Sequence, residues 1–222
     1  MFECQYCGSQ FKSERTIMVH VCEPKRRYLN KDEKYSRLAF YAYDRFYDLT
    51  QAVGNKSFDD FVKSKFYLGF TKFGKHIINI NAVNPEDFVD FVIRNSVKLD
   101  RWCSDSVYET YIQELNRKES ADRAVERSIL LMQKWGGEYD RPFSRFFKEV
   151  SKPLAIHYIT SGRLSPWVIF NCDSGAELID SFSDNELNII NEYLEPSFWT
   201  RKFNTRQEDV QFVKMILEKA EI

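Results

Sequence analysis

Four side chains of the kinds that bind transition metals lie close together near the start of the sequence. Cys4 and Cys7 form a Cys-x2-Cys pair, and His20 and Cys22 follow within the next fifteen residues. A tight turn directs two thiolates spaced in this way at one ion, and a second pair about a dozen residues later completes a tetrahedron. A segment this short has too little apolar surface to fold alone, so metal binding would supply most of its folding free energy. We therefore predict a structural zinc site.

Apolar residues accompany the four candidate ligands at regular spacings. The pattern is Phe2-x-Cys4-x2-Cys7-x3-Phe11-x5-Ile17-x2-His20. It resembles the C2H2 zinc-finger family over the first 25 or so residues. The resemblance implies a hairpin that carries the cysteine pair and then a helix from about Ser13 to His20, with Phe11 and Ile17 as a small core.

The last ligand departs from the family pattern. The family places it three to five residues after the first histidine, whereas Cys22 follows His20 by two. Positions i and i+2 of an α-helix point about 200° apart, so they cannot share one ion. We therefore expect the helix to unwind or tighten just after His20, and Pro24 favours an early stop. Two alternatives stay open, namely ordinary reduced cysteines and a disulfide, although five cysteines and no secretion signal favour a disulfide less.

The finger is poorly equipped to read a DNA sequence. In DNA-binding members of the family, base contacts come from positions that correspond here to Ser13, Arg15, Thr16 and Val19. Arg15 alone is a strong donor to base edges, and Val19 has no donor. One finger covers only about three base pairs. We expect no sequence-specific DNA recognition.

A basic segment follows the finger. Between Lys12 and Arg37 there are eight basic and four acidic residues. Such a segment can hold a phosphate backbone without reading bases, or it is a solvated linker. The candidate contacts with nucleic acid or a partner are Arg15, Lys25, Arg26, Arg27, Lys31 and Lys34.

The rest of the chain is predicted to be helical. A hydrophobic content of 43% is enough for a core, and eight glycines and six prolines are few for a turn-rich β protein. We predict a mainly α fold, in which a small N-terminal ββα zinc finger precedes an all-α multi-helix domain. The predicted bounds are 1–24 for the finger, 25–31 for a basic linker and 32–222 for the helical domain.

Capping residues and apolar periodicity locate individual helices. Helices are predicted over about 32–53, 120–135, 143–150, 153–160, 183–194 and 207–220, with further starts at Ser57, Asn84 and Ser106. The stretches 66–80 and 164–170 fit a helix or a strand. The pair Gly136-Gly137 is predicted to close the helix that starts near Ser120.

No catalytic motif is present in the sequence. His76, Cys103, His157 and Cys172 are isolated, and we expect them to be core residues rather than a second metal site. No glycine loop for phosphates is found. We therefore expect a non-enzymatic protein, with a nuclease-like activity on nucleic acid as the open alternative.

Acidic residues are concentrated late in the chain. From Asp173 to Glu195 there are seven acidic residues and no basic one. Such a run is a solvated face, or it is a docking surface for a basic partner. Trp167 and Trp199 flank the run, and core packing is favoured over an interface role for both.

These observations together predict an adaptor. Its finger and basic segment would contact nucleic acid non-specifically, or dock a protein partner, in a nucleic-acid-processing assembly. The alternative is an assembly protein whose finger pins it to a neighbouring subunit, and the oligomeric state is not predicted. No run of 18 apolar residues and no signal peptide is found, so a soluble, cytoplasmic protein without membrane contact is expected. In composition the helical part resembles proteins of large tailed bacteriophages, which would place it in the host cytoplasm.

Overall fold

The protein is mainly α-helical in this computed structural model, which describes residues 1–51 and 54–222. The described residues form two compact units, Met1–Val107 and Tyr108–Ile222. Within them the strands lie at the N-terminus, so the predicted mainly α fold with a small N-terminal β element is confirmed. The predicted domain bounds of 1–24, 25–31 and 32–222 do not coincide with this division, and they stay a prediction.

The first unit contains the hairpin and the helices that follow it in the chain. Its elements are β1 (Phe2–Glu3), β2 (Gln10–Phe11), α1 (Glu14–Val19), α2 (Glu23–Leu29), α3 (Lys34–Gln51), α4 (Phe58–Lys63), α5 (Tyr67–Asn79), α6 (Pro85–Arg94), a 3-10 turn (Leu99–Arg101) and the start of α7 (Asp105–Lys118). Its core is aromatic, because the rings of Phe70, Phe73 and Trp102 pack together between α3, α5 and the 3-10 turn.

The second unit continues α7 and adds eight further helices among the described residues. They are α8 (Ala121–Tyr139), a 3-10 turn (Phe143–Arg145), α9 (Phe146–Glu149), α10 (Lys152–Thr160), α11 (Pro166–Ile169), α12 (Asp173–Asp180), α13 (Asp184–Leu194), α14 (Pro196–Thr205) and α15 (Gln207–Lys219). Trp167 and Trp199 are buried here with ring centroids 5.4 Å apart, as the core interpretation expects.

Local capping signals located several helix starts correctly. Ser57 and Ser183 each form a capping box with the acidic residue three positions later, and α4 and α13 begin directly after them. The ambiguous stretches 66–80 and 164–170 contain helices α5 and α11. The predicted helix over 32–53 is α3, but its predicted end at Val53 lies outside the described residues.

Other segments differ from the predicted helix pattern. The predicted cap Ser106 lies inside α7, which begins at Asp105. The segment 25–31, predicted as a linker, lies largely in helix α2, where Pro24 occupies the first turn. Residues 173–180 and 196–205 form α12 and α14, which no pattern had identified.

The prediction that the glycine pair closes α8 is wrong, because the helix continues through it to Tyr139. The residue that ends α8 is Asp140, with φ +53°. A Cβ on Gly136 would lie 2.6 Å from the carbonyl oxygen of Arg141, so this glycine lets the chain fold back against its own helix. A Cβ on Gly137 would meet no atom within 4 Å.

This pair gives a matched stability test. Gly136→Ala is expected to lower the free energy of unfolding by about 1–3 kcal/mol, because the added methyl forces the returning chain away. Gly137→Ala is expected to raise it by up to about 1 kcal/mol through helix propensity. Urea denaturation of both variants measures the difference. Equal effects at the two positions would contradict the close approach described above.

Candidate metal centre

A two-stranded hairpin positions the first two candidate ligands. Phe2 pairs with Phe11 in antiparallel register, which closes the chain between them into a tight loop. The backbone N–H of Cys4 donates to the Ser9 carbonyl at 2.9 Å. This bond holds the Cys4–Ser9 loop, which carries both Cys4 and Cys7. The hairpin predicted for the cysteine pair is confirmed.

Helix α1 and the turn after it position the other two. The Ser13 hydroxyl accepts the Thr16 N–H at 3.3 Å, so α1 is capped where the sequence predicted. The helix ends at His20, which already has extended backbone angles of −69° and 122°. Cys22 then precedes α2 with φ −83° and ψ 165°. The two-residue spacing therefore spans an extended corner between two helices, and Cys22 turns back towards His20.

The four candidate ligands come together. Their ligand atoms all lie within 4.8 Å of one another. The Sγ atoms of Cys4 and Cys22 are 3.9 Å apart, and Cys7 Sγ lies 3.4 Å from His20 Nε2. All five cysteines of the chain are free thiols, so the disulfide alternative is wrong. The arrangement is that of a Cys3His metal site.

The electrostatic environment differs between Cys7 and Cys22, two thiols of the candidate centre. Hydrogen bonds with the Ser9 side chain and backbone, and then with His20, lower the pKa of Cys7 to about 6. Burial raises the pKa of Cys22. Thiolate is the form that binds a metal, so Cys7 is already prepared for coordination, and Cys22 would gain from the charge of the ion.

Helix α2 joins the metal centre to the rest of its unit. The Tyr28 ring packs between Tyr6 of the finger and Phe58 of α4, with centroid distances of 5.5 and 5.8 Å. Arg27 donates to the Val62 carbonyl at 2.9 Å and stacks 4.5 Å from the centre of the Tyr67 ring. The segment predicted as a linker is thus a packed helix that fixes the finger against α4 and α5.

The predicted basic contact residues occupy different environments. Arg27 is committed to the contacts described above, and Lys25 Nζ donates to the His20 carbonyl at 2.9 Å. The remaining four side chains, of Arg15, Arg26, Lys31 and Lys34, are exposed. Their predicted roles in binding stay predictions.

One feature of the finger was missed by the sequence reasoning. Met18 and Val19 are 72% and 73% exposed on the outer face of α1, and Val21 is exposed beyond it. The signal was available in the consecutive apolar residues 17–19, because a short helix can bury only one of its faces. Such a cluster of exposed apolar side chains on a small module typically marks a contact surface.

The isolated histidines and cysteines do not form a second centre among the described residues. Burial lowers the pKa of His76 and raises that of Cys103 in the first unit. In the second unit His157 lies against Arg163, and Cys172 is half-buried directly before α12. Within residues 1–51 and 54–222, Cys4, Cys7, His20 and Cys22 are the residues that could hold a metal ion.

Comparisons with known proteins place no constraint beyond this geometry. No protein-family model matches the chain, and no curated protein or solved structure is significantly similar to it. None of the described helices combines the length and the apolar character that crossing a bilayer requires.

Proposed function

We propose that this protein is a non-enzymatic adaptor whose finger is built by a zinc ion and docks a protein partner. Zinc fits the donor set, because three thiolates and one imidazole are its usual ligands in structural sites. Bonds of the usual lengths give tetrahedral edges of about 3.8 Å between sulfurs and about 3.5 Å between sulfur and nitrogen. The separations of 3.9 and 3.4 Å support this choice.

A structural rather than catalytic role follows from the number of donors. Catalytic zinc sites keep one position open for water or substrate, whereas structural sites are closed by four protein ligands. Here four side chains are available for one ion. The zinc would therefore stabilise the finger and leave no position at which to activate water.

The outer face of α1 is the observation that carries the docking proposal. Arg15, Met18 and Val19 share this face because they are spaced i, i+3 and i+4. Two of the three are apolar and strongly exposed. A face that served base recognition would need donors at these positions. An apolar face with one cation at its edge is better suited to a protein surface.

A second contact, with nucleic acid, is proposed for the basic segment. Arg26, Lys31 and Lys34 are exposed and available for phosphates. The first unit has 17 basic and 14 acidic residues, whereas the second has 15 and 19. The positive balance of the unit that carries the finger supports this placement.

The docking face is tested by replacing its apolar side chains with charged ones. In Met18→Asp/Val19→Asp, capture of the partner by the immobilised full-length protein is expected to fall about tenfold or more, because two exposed contacts become charged. Quantitative mass spectrometry of the captured proteins measures this. The matched control is Leu130→Asp, an exposed leucine on α8 of the second unit. Identical captured proteins and amounts for the finger variant and the native chain would contradict the proposal.

The alternative assembly role is distinguished by the native mass of the protein. The exposed acidic residues Asp173, Glu177 and Asp184 favour this second candidate, because they offer another copy of the chain a surface opposite in charge to the basic segment. If this charge contact pins one copy to the next, the native mass rises with protein concentration and Arg26→Glu/Lys31→Glu stays monomeric. Light scattering over a concentration series measures this. A constant mass would remove the assembly role.

A further inference from the structure

Helix α5 lies in a part of the chain that is free of acidic residues. Residues 61–85 contain four lysines and no aspartate or glutamate. Two of the lysines precede α5 and two lie on it. The chain has 33 acidic residues, yet none of them lies in this stretch. Helix α5 and the residues before it therefore carry a net positive charge.

The lysines of α5 are held on one outward face. Leu68, Lys72, Lys75 and Asn79 are spaced i, i+4, i+7 and i+11, which places them within about 60° around the helix axis. All four are exposed. The opposite face is anchored by the buried core residues Phe70, Phe73 and Ile77. The positive stripe is therefore carried by a rigid element.

Tertiary packing joins this stripe to the predicted basic segment. A Cβ on Gly74 would lie 2.3 Å from the Tyr35 carbonyl oxygen, so the first turn of α3 touches the backbone of α5. Lys75 Nζ lies 4.8 Å from the centre of the Tyr35 ring. Lys34, the neighbour of Tyr35 in the chain, is exposed. The first turn of α3, which carries Lys34, therefore packs beside Lys75 of α5.

An exposed aromatic ring lies directly before the first turn of α5. Phe66 is 43% exposed, and Lys65 Nζ lies 5.0 Å from the centre of its ring. An exposed ring beside ammonium groups is the composition that single-stranded nucleic acid favours, because bases stack on the ring and phosphates pair with the cations. A duplex offers no free base face to such a ring. The exposed carboxylates of Asp32 and Glu33 flank Lys34, so α5 supplies most of the attraction.

We propose that the surface formed by Lys65, Phe66, Lys72 and Lys75, and extended by Lys34, binds single-stranded nucleic acid without sequence preference. Lys72 and Lys75 hold the phosphates and Phe66 stacks one base. This rests on the nucleic-acid half of the proposed function and assigns it a substrate class and a site on α5.

Fluorescence anisotropy with the full-length, zinc-loaded protein tests this surface. The probe is a labelled oligothymidylate of about 20 nucleotides, and a duplex of equal length is the comparison. Lys72→Glu/Lys75→Glu is expected to weaken binding more than tenfold at low salt and to reduce the salt slope by about 1.4, since each single-strand phosphate contact contributes about 0.7. Phe66→Ala is expected to weaken it about tenfold at every salt concentration.

Matched variants make the result decisive. Lys214→Glu/Lys219→Glu, two exposed lysines of α15, is expected to leave binding nearly unchanged. Equal weakening by this control, or a duplex bound as tightly as the single strand, would overturn the assignment. If Arg26→Glu/Lys31→Glu weakens binding and the α5 variants do not, the nucleic-acid contact survives on the basic segment and the α5 site is wrong. If the native chain binds no strand at low salt, both are wrong.

Discussion

Cys4→Ser is expected to abolish stoichiometric zinc binding and to unfold the segment from Phe2 to Cys22. Cys4 is the buried member of the candidate centre, and its sulfur lies 3.9 Å from that of Cys22. Metal binding to such small modules is worth about 10–16 kcal/mol, which is most of their folding free energy. A serine hydroxyl is a poor zinc ligand, so the hairpin and α1 lose the ion that holds them together. Elemental analysis of the purified protein measures zinc per chain.

The remainder of the molecule supplies the control for this prediction. Cys103→Ser changes a partly buried cysteine of the same unit that lies outside the centre, and it is expected to retain one zinc per chain. Amide hydrogen exchange should show protection lost in β1, β2 and α1 of Cys4→Ser and kept in α5 and α6. One zinc per chain in both variants, or none in the native protein, would contradict the proposed centre.

Trp102→Ala is expected to be the most destabilising single change in the helical part of the first unit. The side chain is fully buried, and its ring centre lies 4.9 Å from that of Phe73 and 5.5 Å from that of Phe70. Its Nε1–H donates to the Val97 carbonyl at 2.8 Å. Truncation leaves a cavity and an unpaired carbonyl, which together cost about 3–5 kcal/mol. That is a large share of the stability of a typical domain, which is about 5–15 kcal/mol.

Chemical denaturation followed by the far-UV signal, with amide hydrogen exchange in α5 as the report on this unit, measures the loss. Leu68→Ala serves as the control, since Leu68 is largely exposed on α5 and its truncation should change the free energy of unfolding by less than about 0.5 kcal/mol. A loss below about 1 kcal/mol for Trp102→Ala would show that the aromatic core between α3 and α5 is not the main source of stability in this unit.

Local signals in the sequence were sufficient for the candidate metal centre. Cys4, Cys7, His20 and Cys22 lie within nineteen residues, so turn and helix geometry alone decide whether their ligand atoms meet. The end of α1 at His20 was predictable for the same reason. The capping boxes at Ser57 and Ser183 predicted the starts of α4 and α13 correctly, because each box involves only four consecutive residues.

Misreadings arose where a distant chain segment decides the local structure. Gly136 is predicted to end a helix, but in the structure it lies inside α8, where it leaves room for the backbone of Arg141. The basic composition of segment 25–31 suggests a linker, whereas in the structure Tyr28 of this segment packs against Tyr6 and Phe58. The residues that contact Gly136 and Tyr28 could not be identified from the sequence around these two positions.

The sequence by itself determined the mainly helical fold, the candidate ligand set and the charge of each segment, because helix propensity, capping and short spacings between candidate ligands act over a few neighbouring residues. Only the tertiary structure decided which surfaces these charges form. The contact of Gly74 with the Tyr35 backbone brings α3 and α5 together, and the folding of α1 over Phe11 leaves Met18 and Val19 outside. The physical reason is that burial is settled between segments far apart in the chain, and what is not buried becomes available for binding.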